Sequence, residues 1–145
     1  MTDLSKISVV LPSLDPDEKL IAVVDGLLEY GFSHIILVND GSADRTLSLM
    51  REYAAQDDRF RYVSFTRNFG KEGAMFAGLD NVRGECAVII DADLQFPPET
   101  IAEMYAVWQT GAADIVEGKK RTRGKESLVY KLFTKAFYGM LKGMS

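Results

Sequence analysis

The side chains best suited to chemistry stand in Asp91-Ala92-Asp93-Leu94-Gln95, directly after the apolar run CAVII. In extended chain alternate residues point the same way, so the carboxylates of Asp91 and Asp93 and the amide oxygen of Gln95 can converge. Hard divalent cations such as Mg2+ or Mn2+ take oxygen ligands, and Mg2+ is commonly held by one or two carboxylates together with a substrate's phosphates. Without a cation the two carboxylates would repel each other. A solvated turn is the plain alternative.

Three further stretches carry related chemistry. In Val38-Asn39-Asp40-Gly41-Ser42, the Asp40 carboxylate can accept a hydrogen bond from a base N–H, and Gly41 would let the backbone approach a ligand closely. The same residues also spell an ordinary turn followed by a helix cap. Arg67 to Ala74, RNFGKEGA, is a Gly-punctuated loop with two cations, Arg67 and Lys71, that leads into a helix of small residues and could meet nucleotide phosphates or the base. It lacks the Lys-Ser/Thr ending of a P-loop, which excludes a P-loop NTPase. Lys119 to Lys125, KKRTRGK, could neutralise a diphosphate leaving group or a phosphorylated acceptor, Arg being suited to bidentate phosphate contact. Nucleic acid is the competing anion, disfavoured because no aromatics are interleaved with the cations and the rest of the chain is acidic.

The elements that must position these residues are legible as alternating periods. Five short apolar runs, Ile7 to Pro12, His34 to Asn39, Arg61 to Phe65, Cys86 to Asp91 and Asp114 to Gly118, read as strands buried on both faces. Helical patterns lie between them, at about Asp17 to Tyr30, Ala43 to Gln56, Lys71 to Asn81 and Pro98 to Trp108. Gly31, Gly41, Gly84 and Gly111 fall at breaks, and Pro97-Pro98 suits a helix start. Strand and helix in alternation predict an α/β fold: an open, mostly parallel sheet with helices on both faces and right-handed crossovers. In such sheets ligands bind beyond the carboxyl ends of the strands, which is where all the stretches above fall.

At 145 residues the chain suits one compact domain. Its net charge of −4 conceals a division. Residues 1–118 hold nine Lys/Arg against twenty Asp/Glu, and residues 119–145 hold eight against one, so an acidic body of −11 ends in a basic segment of +7. Such a segment reads as a site for phosphates or an anionic membrane surface, or as a solvated helix face. From Ser127 to Met144, Val129, Phe133, Ala136, Phe137, Met140 and Met144 share one helical face opposite Lys131, Lys135 and Lys142. That helix would pack on the core or lie in a membrane interface. No run of eighteen apolar residues and no basic-then-apolar leader occurs, so a soluble chain is expected. The single cysteine, Cys86, excludes an intrachain disulfide and suits a reduced, buried thiol; with His34 the one histidine, nothing suggests a catalytic partner for it.

Together and in this order, DADLQFPPE, VNDGSADRT, RNFGKEGA and GKKRTRGKES resemble the N-terminal part of family 2 glycosyltransferases with the GT-A fold. The resemblance is particularly to the polyprenyl-phosphate hexosyltransferases, which are similar to dolichol-phosphate mannose synthase. The resemblance implies a nucleotide-sugar-binding GT-A portion over residues 1–124 and a basic amphipathic helix over 125–145. It implies that Asp91, Asp93 and Gln95 hold Mg2+ or Mn2+ and that Asp40 and the loop with Pro12 and Leu14 hold the base. Lys71 and Ala92 would join that donor site, while Lys120 and Arg123, where the family has phosphate-binding arginines, would act with Asp93 in catalysis. The implied reaction is inverting transfer of a hexose from a UDP- or GDP-sugar to a polyprenyl phosphate or other acceptor, in a cytoplasmic protein peripheral to the membrane or part of a longer membrane-anchored one. The chain departs from the pattern in three places: its first loop is Pro12-Ser13-Leu14-Asp15-Pro16 instead of Pro-x-Tyr/Phe-Asn-Glu, Asn39 replaces an Asp, and Lys120 an Arg. Family enzymes continue with acceptor-site residues and often membrane helices, so a truncated chain or gene remnant is expected. A donor-binding module without turnover is one alternative; a nucleotidyltransferase is another, but LPSLDPDEK lacks its Gly-rich basic loop.

Overall fold

The computed structural model describes residues 2–92 and 97–118. After a 3-10 turn at Leu4–Lys6, strands β1 (Ile7–Ser13), β2 (Ile35–Asn39), β3 (Phe60–Ser64) and β4 (Cys86–Ile89) alternate with helices α1 (Glu18–Tyr30), α2 (Thr46–Gln56), α3 (Lys71–Leu79) and α4 (Pro98–Gln109). The strands form one parallel sheet in the order β3-β2-β1-β4. The chain runs outward from β1 to β2 to β3 and then returns to the other side of β1. Right-handed crossovers place α1 and α2 on one face and α3 on the other, and the packing follows that rule.

Alternation along β1 and β2 assigns each side chain to a face. Val9 and Leu11 of β1, with Ile35 and Leu37 of β2, face Leu20, Val24 and Leu27 of α1, Met50 of α2, and Ile101 and Tyr105 of α4. Val10, Ile36 and Val38 face Ala74 of α3. Helix α4 opens with Pro98 at its first turn, where a missing N–H leaves no hydrogen bond unmade. The Ser8 hydroxyl, fully buried in β1, accepts the Arg83 and Gly84 N–H groups at 3.2 and 3.0 Å and so seats the turn that leads into β4.

Burial on both faces holds for β1 and β2 but not for β3 and β4. Each of the latter lies at an edge among the described residues, with a mixed pattern in which Tyr62 is well exposed. The run Asp114 to Gly118 is not a strand: it joins no ladder among the described residues, and Ile115 is 77% exposed. An apolar run becomes a strand only where a ladder satisfies its backbone, and here the run passes β4 without forming one. Helix α2 starts three residues later than its pattern suggests and α3 ends two residues earlier. Cys86 is half-buried, and burial pushes its thiol up from the ordinary value, with Glu85 adding to the shift, so it stays protonated at neutral pH.

Helix α3 approaches the sheet closely because Gly78 faces it without a side chain. A β-carbon there would sit 2.3 Å from Val10 Cγ1 and 3.2 Å from Val38 Cγ2, both fully buried. Alanine gains about 1 kcal/mol over glycine in an open helix, whereas overpacking a core costs roughly 1–3 kcal/mol. Gly78→Ala is therefore expected to lower the urea midpoint with an unchanged slope; a midpoint raised by the helical gain would show that the contact yields.

Candidate functional site

Parallel pairing brings all four carboxyl strand ends to one rim, and β1 and β4 diverge there in connection, which makes the crevice between them the topological switch point. The ladder continues past the strands: the Asp40 N–H donates to the Ser13 carbonyl and the Phe65 N–H to the Asn39 carbonyl, both at 2.9 Å. The loops after β1, β2 and β3 are thereby held side by side.

Side chains complete the connection. The Asp15 N–H donates to Ser42 Oγ at 2.9 Å, and Asp15 Oδ1 accepts the Ala43 and Asp44 N–H groups at 2.7 and 3.3 Å. These bonds hold Ala43 and Asp44 outside the helix, and α2 begins only at Thr46, whose N–H is capped by Asp44 Oδ1 at 2.9 Å. Asp15 and Asp17 have φ of 49° and 45°, a region that Asp and Asn enter more readily than other side-chain-bearing residues. Arg45 closes the same junction on Asp17 at 3.1 Å. Asn39, nearly fully buried, accepts the Ser42 N–H at 2.9 Å and donates from Nδ2 to Ser64 Oγ at 3.1 Å. A carboxylate in its place could only accept, so the same contact would need the Ser64 hydroxyl to turn and donate.

Asp40 is 4% exposed, and its Oδ1 accepts the Phe69 N–H at 2.8 Å. Its second oxygen has no partner among the described residues. Gly41 has φ 74°, and a β-carbon on it would lie 2.4 Å from the Arg67 carbonyl carbon and 2.5 Å from the Asn68 nitrogen. Its backbone thus lies close against the loop after β3. That loop is fixed in turn: Asn68 Oδ1 accepts the Gly70 N–H at 2.8 Å, the Arg67 guanidinium lies 4.4 Å over the Phe69 ring, and Phe69 packs edge-on against Phe65. From its end Lys71, the first residue of α3, reaches across to Asp91, with Nζ 2.7 Å from Oδ1.

The rim therefore brings together Asp40, Lys71 and Asp91 with the loop of Pro12 and Leu14. Pro12 is buried in β1, whereas Leu14 is half-exposed. Ala92 turns its side chain into the core, leaving only its backbone toward the rim. Asp93, Gln95, Lys120, Arg123 and the helical pattern of Ser127 to Met144 lie outside the described residues, as does the whole of 125–145, the second part of the two-part division. Among the described residues no three His, Cys, Asp or Glu side chains gather, and no helix is long and apolar enough to cross a membrane. Asp91 alone can be tested against a divalent cation, and it fits: it is an exposed oxygen donor that already attracts a cation, the Lys71 ammonium. A cavity of about 330 Å³ of mixed lining lies at the opposite end, among Ile7, Glu85, Ile101, Tyr105, Trp108 and Asp114, away from the rim.

The sequence names Asp15 and Ser42 only as members of their loops and gives neither a role, because the tie between them joins groups 27 to 29 residues apart. Replacing Asp15 by Ala removes the acceptor and leaves an unfavourable φ, which together cost about 1–2 kcal/mol. Asn keeps both the oxygen and the tolerance. The expected result is faster amide exchange at Ala43 and Asp44 and a lower melting temperature for Asp15→Ala, with Asp15→Asn close to the parent; equal behaviour of the two variants would remove the junction from the account.

Comparison with known proteins agrees with the architecture. The sequence profile described as Glycosyl transferase family 2 matches residues 8–143. The glycosyltransferase YkcC of Bacillus subtilis (strain 168) is 40% identical over 111 residues, 77% of this chain and 34% of that protein. The bactoprenol glucosyl transferase of Shigella phage SfX is 38% identical over 139 residues, 92% of this chain and 45% of that protein. The chain thus spans less than half the length of these relatives. The mannosyltransferase PcManGT from Pyrobaculum calidifontis, solved in complex with GDP-Man and Mn2+, superposes with a TM-score of 0.61 at 25% identity, over 69% of this chain and 31% of that one. The parallel sheet with helices on both faces is the GT-A arrangement, and the chain belongs to glycosyl transferase family 2.

Proposed function

We propose that this chain is the donor-binding part of an inverting glycosyltransferase that moves a hexose from a UDP- or GDP-sugar to a polyprenyl phosphate, in cell-envelope glycan assembly at the cytoplasmic membrane surface. The observation that carries the reading is the meeting of Asp40, Lys71 and Asp91 on one rim of the switch-point crevice. Support comes from the relatives: one is named for glucosyl transfer involving bactoprenol, and PcManGT was solved with GDP-Man and Mn2+. Binding the donor is the role of this part, and transfer belongs to the whole protein.

Asp40 accepts a base N–H through the oxygen not used by Phe69, and Leu14 flanks the base from the loop after Pro12. Asp91, with Asp93 and Gln95, would hold Mg2+ or Mn2+, and Ala92 presents its backbone between them. When bound, that cation offsets the negative charge that develops on the departing diphosphate. Lys120 and Arg123 add charge-assisted hydrogen bonds to the same diphosphate. An oxygen of the acceptor phosphate attacks the anomeric carbon from the side opposite the diphosphate, the bond from that carbon to the diphosphate oxygen breaks, and the configuration inverts. The acceptor is already an anion, so the step calls for little general-base help.

Calorimetric titration with UDP and GDP, with and without Mn2+, tests the reading. Asp93→Ala should abolish the metal-dependent part of the affinity without altering the circular dichroism. Asp40→Asn keeps an oxygen for the Phe69 N–H but presents an amide N–H2 to the base, and a lost hydrogen bond to a charged group of about 1.5–3 kcal/mol predicts at least tenfold weaker nucleotide binding. Parent-like affinity in both variants contradicts the assignment. A transfer assay on a version extended past Ser145 then separates an enzyme from a module that only binds the donor.

A further inference from the structure

We infer that Lys71 is an internal counter-ion for Asp91 that changes partner when the donor binds, so that divalent cation and nucleoside diphosphate enter cooperatively; the inference rests on the donor site proposed above. The pair spans the crevice, from the first residue of α3 to the residue two beyond β4, at 2.7 Å. Both side chains are more than half exposed, at 60% and 51%. An ion pair so exposed to water contributes little to stability, and its place at the rim gives it a role in the site instead.

The anchoring of the loop makes a change of partner cheap. Phe69 is bonded through its N–H to Asp40, Gly70 through its N–H to Asn68, and α3 follows at once, so the backbone at Lys71 is fixed. Its side chain is a flexible four-carbon stem ending in a point charge that can rotate to another anion. A lysine at the positive end of a helix is disfavoured by the macrodipole unless an anion stands beside it. Asp91 is that anion in the free protein, and a diphosphate entering between the loops offers the same chemistry with more charge.

Lys71 and a divalent cation cannot both sit against the Asp91 oxygen without strong repulsion at such a separation. While Lys71 holds Asp91, the cation alone binds weakly. Once Lys71 turns to the diphosphate, Asp91 is released, and by linkage the cation raises nucleotide affinity by the same factor.

The test compares the chain with Lys71→Met and Asp91→Asn, measuring Mn2+ binding without nucleotide and UDP and GDP binding with and without Mn2+. For Lys71→Met the expected results are Mn2+ binding tighter by up to about fivefold, as for release from a surface pair, nucleotide binding weaker, and a smaller ratio between nucleotide affinities with and without Mn2+. Removing one positive charge from the neighbourhood would also move the first two quantities, but it would leave the ratio unchanged. An unchanged ratio, or Mn2+ binding that fails to tighten, overturns the inference while Asp91→Asn still loses Mn2+ and the donor site stands. Parent-like Mn2+ binding by Asp91→Asn overturns the donor site and the inference together.

Discussion

Parallel pairing of β1 with β2 on one side and β4 on the other is the constraint on which the rest depends. It sets β1 inside the sheet, where helices cover both its faces, points every strand the same way, and delivers the polar residues that follow each strand to one rim. None of those residues is adjacent in sequence: Asp15, Asp40, Lys71 and Asp91 follow four different strands. The loops stay where the strands leave them because backbone bonds run past the strand ends and the side chains of Asp15, Asn39 and Asp40 tie each loop to the next. A buried carboxylate is costly unless it is hydrogen-bonded, and Asp40 meets that requirement through a bond that also places the loop carrying Lys71.

Much of this was legible from periodicity. The apolar runs of β1 and β2, the stripe of Leu20, Val24 and Leu27, and the paired prolines before α4 each reflect a local rule that the fold obeys. What was not legible depends on neighbours. The segment Asp114 to Gly118 has the composition of a strand, but composition does not supply a ladder partner. Tyr62 and Val63 read alike in sequence, yet edge position exposes the first and packing against the α3 face half-covers the second. Gly41 signalled a close approach, though only the folded chain shows that the backbone of Arg67 and Asn68 is what it approaches.

The polar part of the site was readable by type and less so by role. Asp40 and Asp91 were singled out as acceptors for a base and a cation, and both stand on the rim. The tie made by Asp15 was hidden because it depends on backbone N–H groups 28 and 29 residues away, which no sequence pattern encodes. Charge has a similar division of labour. The body that holds the rim is acidic, so the anionic donor proposed for it would need local cations or a metal to enter, and the surplus of Lys and Arg in the sequence of residues 119–145 would answer that need.

The central claim is that the carboxyl-end rim is where nucleotide and metal meet, and paramagnetic broadening tests it most directly. Isotope-labelled chain saturated with UDP or GDP would be titrated with trace Mn2+ while backbone amide signals are followed. The account predicts that Asp15, Asp40 to Ser42, Phe69 to Lys71 and Ala92 broaden first, while Cys86 and Tyr105 at the opposite end stay sharp. Broadening centred on the cavity beside Tyr105, or spread evenly over the chain, would contradict it.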